Sequence, residues 1–469
     1  MPKDCCNKTL KYKIADNVKL LDLGTKKILL QISPLRWLDV TNYPLSHINA
    51  LMHGASMEAL LALDSKITIS TILEILKNIK SRGFFITPTT VSPFLREVTP
   101  IIYFQVTGKC NLDCYYCYND KSIRSGELSF NDIISAYNLI KKHVDFSQGI
   151  HIHFHGGEPL CNWSVLKDAI SFFRQKIPCN CRISLSTNAT LVTKDIAEFL
   201  INNNIEIKIS CDGTPIIHDM YRYDYFKQGS FANMLNGFRN FADYKHITFL
   251  STLTKNSFKY FEENLSFFQD LKIPAVHFRP FYSLNGADSN LAIHPQQYIE
   301  LGKYIVDHIE EITHSQINVV NLTLLLLPFL VGISANSLCN NNRCAAYSKS
   351  FFVTSDGFIT GCDLLPNTPE FQIGNCLNNF FDSDKAYQLN CQCNKKDSCC
   401  CSCTWESICG GGCYANARER NQQHYSFTCA YSKAVYPYLV DKLITDSTPF
   451  EGYLKNIAAK ISREKKSVF

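Results

Sequence analysis

The sequence predicts an α/β protein whose centre is a parallel sheet with helices packed outside it. Three observations carry this. Short apolar strands recur at IIYFQV (101–106), IHIHF (150–154), RISLS (182–186), IEIKIS (205–210), ITFLSTL (247–253) and VHFRP (276–280). Helical patterns such as NDIISAYNLIKKHV, KDIAEFLINNN and FEENLSFFQDL fill the gaps, and repeated strand–helix units build parallel sheets. The first four strands are followed by TGKCNLDCYYC, HGGEP, TNAT and CDG, so polar, glycine and cysteine residues gather at one rim. Active residues of α/β folds sit there, just past the strand C-termini. Periodicity alone fits an open doubly wound sheet or a barrel.

The flanking segments follow in order. In residues 1–98, KILLQIS (27–33) and RWLDV (36–40) read as short strands, followed by a helical stretch with Ile48, Leu51 and Met52. ITISTILEILKNIKSRG places Ile72, Leu73, Ile75, Leu76 and Ile79 on one side of a helix and stops at Gly83. FFITP reads as a further strand, which makes a winged-helix-like unit, and TPTTVSP (87–93) as the linker. The sheet occupies 99–334. Residues 335–430 hold most of the remaining cysteines and a hairpin, FFVTSDGFITG, turning at Asp356-Gly357. The last segment, 431–469, is a helix (about 430–446) and a basic tail, with Leu454, Ile457 and Ile461 at helical spacing.

Composition excludes several classes. The chain has 469 residues, 46% hydrophobic and 19% charged, ordinary for a globular protein of a few domains. The net charge of +5 comes without a concentrated basic stripe, which argues against nucleic acid. The longest apolar run, Leu324–Val331, contains Pro328 and is too short to span a bilayer. No signal peptide is visible, so a cytoplasmic protein is expected. There, 22 cysteines point to metal rather than disulfides.

Cys110, Cys114 and Cys117 have the spacing C-x3-C-x2-C. A [4Fe–4S] cluster is usually held by four thiolates, so three leave one iron open. Zinc with a histidine is the bland alternative, but no histidine follows at zinc-finger distance. The triplet after the first strand, with GGEP (Gly156–Pro159) after the second, resembles the radical S-adenosylmethionine (radical SAM) enzymes. That resemblance implies a partial (β/α)6 TIM-like barrel and S-adenosyl-L-methionine on the open iron. It places Tyr116 to stack on a flat ring, and Gly156, Gly157 and Glu158 around the methionine amino group. Ser186 and Asn188 match a ribose-contacting position, and Ser210 and Arg222 one near the carboxylate. Taken singly, the glycines also read as a tight turn, Glu158 as a helix-start carboxylate, and Ser186 and Asn188 as a helix cap.

Downstream, Cys344, Cys362, Cys400, Cys403, Cys409, Cys413 and Cys429 resemble the seven-cysteine SPASM extension of these enzymes, with Cys339 matching an eighth ligand. The resemblance implies two auxiliary [4Fe–4S] clusters. One would be held by Cys339, Cys344, Cys362 and Cys413, the other by Cys400, Cys403, Cys409 and Cys429. Without Cys339 the first would keep an open iron for a substrate thiolate. Structural zinc sites are the rival reading. Of the remaining cysteines, Cys391 and Cys393 stand out by their nearness to this loop. Asp363 matches the catalytic base of related sulfatase maturases; its bland reading is a turn aspartate. The N-terminal unit resembles the leader-recognition element of enzymes that modify ribosomally made peptides. The function implied is a peptide maturase that forms an intramolecular thioether or carbon–carbon cross-link in a precursor peptide carrying a leader. A flavodoxin- or ferredoxin-type protein would donate its electrons. The alternatives are an anaerobic sulfatase maturase and a non-catalytic metal-binding scaffold.

Overall fold

A computed structural model describes residues 11–456 except 17, 25, 32–35, 85–98, 118, 120–125, 148, 178–179, 282–288, 332–343, 366–367, 396–397, 402, 404, 420–425, 447, 451 and 454. Strands β1 (Val18–Asp22), β2 (Lys27–Gln31) and β3 (Arg36–Asp39) form an antiparallel sheet in that order. Helices α1 (Leu45–His53), α2 (Met57–Leu61) and α3 (Ile69–Ser81) follow. Thr68 caps α3 by accepting the Thr71 N–H. Val18 and Leu29 pack with Ile48, Leu51, Ile72, Ile75 and Ile79, whereas Leu21, Ile28 and Leu30 join the central core. β2 is therefore buried on both faces, which is why KILLQ does not alternate. β1 goes unpredicted because VKLLD has no clean period of two. Phe84, expected to open a strand, is buried outside any strand. The rest of FFITP and the linker at 87–93 lie outside the described residues.

Among the described residues the central sheet has eleven strands. Its parallel strands are β4 (Ile101–Gln105), β5 (Ile150–His155), β6 (Cys181–Thr187), β7 (Glu206–Ser210), β8 (Ile247–Leu253), β9 (Ala275–Pro280) and the two-residue β10 (Asn318–Val319). Helices alternate with them: α4 (Phe130–Lys141), α5 (Trp163–Lys176), α6 (Lys194–Asn202), α7 (Phe231–Arg239), α8 (Phe261–Asp270) and α9 (Pro295–Asp307). This is a partial TIM-like α/β fold. Two caps explain helix starts: Ser129 and Asp132 form a capping box on α4, and Thr193 caps α6.

The cysteine-rich segment continues the same sheet. β11 (Ser350–Val353) pairs in parallel with β4, Phe352 opposite Tyr103. β12 (Phe358–Thr360), β13 (Gly374–Asn375) and β14 (Phe380–Phe381) add antiparallel strands beyond it. The β11–β12 turn falls at Asp356-Gly357, with Gly357 at φ +80. α10 (Val320–Val331) follows β10, α11 (Ser383–Cys393) follows β14, and α12 (Ser426–Thr445) packs on α9. α12 starts earlier than expected and contains Pro437. Among the described residues no helix is long and apolar enough to cross a membrane.

The parallel strands have two unlike faces. Ile102, Phe104, Ile152, Phe154, Ile183, Leu185, Ile207, Ile209 and Phe249 are buried against the helices, with Phe104, Phe154 and Phe173 in ring contact. The alternate residues are Tyr103, His153, His155, Ser184, Ser186, Lys208 and His277, so the inner face is polar. Large aromatics on the helix side supply the burial that carries this cost.

One helix contact decides where a rim loop sits. A Cβ on Gly237 of α7 would lie 1.9 Å from the carbonyl oxygen of Ala189, in the turn after β6. Replacing a helical glycine by alanine ordinarily stabilises by about 1 kcal/mol. Here the clash dominates, and Gly237→Ala is expected to destabilise by about 1–3 kcal/mol, read as a lowered urea midpoint; an increase would show that the turn yields freely.

Candidate active site at the sheet rim

Cys110, Cys114 and Cys117 sit on the loop after β4, with Cys114 and Cys117 close enough to Cys110 to oppose its ionisation. Burial pushes the Cys110 thiol up to about 12, with Glu158, Cys114 and Cys117 adding to it. Burial raises Cys114 to about 11, against the pull of Arg222. The Cys110 sulfur accepts the Leu112 N–H at 3.4 Å and the Asn188 amide at 4.0 Å. The loop is tied down on its far side by backbone bonds from Asp113 N to Tyr223 O and Tyr115 N to Tyr221 O, each 2.8 Å.

The glycines after β5 are required by close approach. A Cβ on Gly156 would lie 2.5 Å from the Thr107 carbonyl oxygen, and one on Gly157 2.2 Å from that of Lys109. Gly157 N donates to Thr107 O and Glu158 N to Lys109 O, each 2.8 Å, so this turn lies directly on the start of the thiol loop. The Glu158 carboxylate is 1% exposed. It accepts from Leu160 N at 3.1 Å, Thr187 Oγ1 at 2.7 Å and Asn188 N at 2.7 Å. Burial raises its pKa to about 7 against these donors. Glu158 is thus a helix-start carboxylate that also joins the turns after β5 and β6. Asn188 continues the chain of contacts, donating to Asn111 Oδ1 at 2.9 Å, and Ser186 shares a hydrogen bond with His153 Nε2 at 3.1 Å.

Asp212, just past β7, is the hub on the opposite side and was not singled out by sequence patterning. It is 1% exposed and pairs with the Arg222 guanidinium at 3.0 and 3.3 Å. It also accepts the Thr252 N–H at 2.9 Å and the Tyr116 hydroxyl. Burial works against the Arg222 charge, yet Asp212, Tyr116 and Cys114 beside it hold its pKa well above the ordinary value. Two contacts accompany the expected roles. Arg222 has a carboxylate partner in Asp212. The Tyr116 ring is buried against Tyr221 and Phe281, with Arg222 5.2 Å from its centre. Ser210 ends β7 two residues before Asp212, half-buried.

The inner face opens beneath this rim. Tyr103, His153, His155 and Phe352 form a run of ring contacts at 5.1–5.7 Å. Burial lowers His155 to about 4, partly countered by Asp363, and its Nε2 has no partner among the described residues. Burial lowers Lys208 to about 8, again with Asp363 opposing. Asp363, from the cysteine-rich segment, thus lies within electrostatic reach of both, and accepts from the Cys362 thiol at 3.4 Å. The missed residues His153, His155 and Lys208 had a signal: polar side chains at every second position of otherwise apolar strands.

The downstream cysteines form two sets. Burial raises the Cys362 and Cys413 thiols, Cys413 to about 11, with Cys344 adding to both and Cys413 to Cys362, and Cys362 accepts the Leu364 N–H at 3.4 Å. Cys409 is influenced by Cys403 and Cys429, and Cys400 Sγ lies beside Gly411 in the same loop. Cys339 lies outside the described residues. Among those described, no three His, Cys, Asp or Glu groups converge on one ion position. A cuboidal cluster, taking one thiolate per iron, asks for separated thiols instead. The donors fit it: part-buried thiols, among them Cys110 and Cys362 receiving N–H bonds at sulfur, exchange protons for metal.

Breaking a buried ion pair by removing one partner costs about 3–5 kcal/mol. Asp212→Asn is therefore expected to lower the unfolding midpoint and to reduce iron held by the Cys110 loop after reconstitution. Unchanged stability and iron content would remove Asp212 as the hub.

Residues 104–268 match the family described as the Radical SAM superfamily. The cysteine-type anaerobic sulfatase-maturating enzyme of Clostridium novyi (strain NT) is 26% identical over 370 residues, covering 72% of this chain and 94% of its own. The antilisterial bacteriocin subtilosin biosynthesis protein AlbA of Bacillus subtilis (strain 168) is 22% identical over 355 residues, 70% of each chain. The solved structure of anSMEcpe with bound AdoMet and the Cp18Cys peptide shares the fold, with a TM-score of 0.62 at 22% identity over 74% of this chain and 98% of that one. Residues 104–268, which carry the thiol loop and the GGEP turn, form a radical SAM domain.

Proposed function

We propose that this enzyme is a maturase that modifies a ribosomally made precursor peptide and closes an intramolecular cross-link, thioether or carbon–carbon. The observation that carries it is one placement. The Cys110 loop, the GGEP turn and the Asp212–Arg222 pair share a rim above an inner face where His155, Lys208 and Asp363 meet. The bacteriocin-biosynthesis relative and the peptide bound in anSMEcpe support a polypeptide substrate. Among the described residues β1 and β3 are the edges of the first segment's sheet, where a leader peptide would add as a strand. Tethering the leader raises the effective concentration of the core peptide at the barrel.

Cys110, Cys114 and Cys117 would hold the [4Fe–4S] cluster that binds S-adenosylmethionine. Cys344, Cys362 and Cys413 with one further thiolate, and Cys400, Cys403, Cys409 and Cys429, would hold two more. When bound, these groups supply a 5′-deoxyadenosyl radical, hydrogen-atom abstraction and electron transfer. The chain does the rest. The bare backbone of Gly156 and Gly157 leaves room for the methionine amino group, and Ser186 and Asn188 face the ribose. The buried, water-poor inner face protects a substrate radical. Asp363 takes the proton released as the product bond closes, while Lys208 and His155 orient the peptide. Electrons come from a flavodoxin- or ferredoxin-type partner.

A second reading rests on a specific observation: the alignment with the sulfatase-maturating enzyme spans 94% of that protein. On it, the same Asp363 serves oxidation of a Cys or Ser to formylglycine. The substrate decides between the two.

Anaerobic reconstitution should give about twelve irons per chain, and SAM with a reductant should give 5′-deoxyadenosine. Replacing Cys110, Cys114 and Cys117 by Ala should abolish the nucleoside; its survival would refute the assignment of this loop. Asp363→Asn should lower peptide product about a hundredfold or more while nucleoside formation persists. Equal loss of both in a mass-spectrometric assay would argue against a proton-accepting role.

A further inference from the structure

We propose that Cys393, in place of Cys339, is the fourth thiolate of the centre formed by Cys344, Cys362 and Cys413, so that its ligand shell is closed. The inference rests on the reading of those three cysteines as cluster ligands, and adds a ligand that their spacing does not reveal.

Cys393 is the last residue of α11, and the structure clamps the end of that helix onto Cys344. Asn394, the helix C-cap, accepts the Cys344 N–H at 2.7 Å and donates to its carbonyl at 3.0 Å. Asn390, one turn earlier, donates to the carbonyls of Cys344 at 3.4 Å and Ala346 at 2.7 Å. With the backbone held at both points, the Cys393 and Cys344 thiols hydrogen-bond to each other, and Cys362 and Cys413 lie close enough to act on Cys393 electrostatically. Cys413 in turn acts on Cys362, and both feel Cys344. The four thiols form one set, partly buried against the core.

The helix separates Cys393 from its neighbour. Cys391 lies two positions earlier, on another side of α11, and is exposed. A C-x-C pair on a helix cannot point both thiols at one centre. An iron centre bound by these four thiols would take the place of their protons and pair the thiolates with metal charge. The negative end of α11 opposes a thiolate at Cys393, an effect small beside that of bound metal. A closed shell makes this centre an electron carrier and denies it to a substrate thiol.

The test uses the full chain carrying Cys110→Ala, Cys114→Ala and Cys117→Ala, reconstituted anaerobically so that only the downstream centres hold iron. In this parent, [13C]cyanide should show no coupling to the reduced centres in electron–nuclear double resonance. Adding Cys393→Ala should open one iron, and cyanide coupling should appear. Cys393→Ser should keep the iron but shift the g-values, and Cys391→Ala should match the parent. The signal of the Cys400, Cys403, Cys409 and Cys429 centre reports that each variant is folded. Cyanide coupling in the parent, or iron and g-values unchanged in Cys393→Ala, would overturn the proposal. If Cys344→Ala also changes neither, the cluster reading itself fails; if it changes both, only the role of Cys393 falls.

Discussion

The buried Asp212–Arg222 pair is the constraint on which the rim depends. One carboxylate at the end of β7 receives a guanidinium, the Tyr116 hydroxyl of the thiol loop and a backbone N–H of β8. Two charges removed from water are tolerable only when each finds its partners, and those partners come from separate parts of the chain. Residues 221 and 223 also accept backbone bonds from the loop. The thiol loop is therefore held on one side by this pair. Its start is held on the other by the GGEP turn, where only bare backbone fits.

The inner face repeats the same economy of buried polarity. His151 and His153 share hydrogen bonds with Ser184, at 2.7 and 2.5 Å. Burial keeps His155 neutral at ordinary pH and softens the charge of Lys208. Groups placed this way are satisfied just enough to fold and retain capacity for a ligand. The orphaned Nε2 of His155 is the clearest instance. Asp363 reaches this face because β11 pairs with β4, which makes the cysteine-rich segment an extension of the barrel sheet.

The fold was legible where one physical rule governs a stretch. Alternating strands over a helix-facing core, capped helices and the Asp356-Gly357 turn all follow from local patterning. β1 and the parallel pairing of β11 with β4 were not legible. The first lacks a period, and the second joins residues some 250 positions apart, which no local pattern encodes.

Of the site, the sequence by itself determined the chemistry: the three thiols at Cys110, Cys114 and Cys117, the glycines that let the backbone approach them, and the downstream thiols. Residue type and spacing suffice there, since they set which atoms can bind iron and how close main chains can come. Only the tertiary structure decided the partners. It gave Arg222 to Asp212, buried Tyr116, turned His155 and Lys208 toward Asp363, and brought Cys393 to Cys344. Burial and charge pairing depend on what lies across space, and these contacts join residues 49 to 208 positions apart in sequence, except for the Asp212–Arg222 pair, which spans ten.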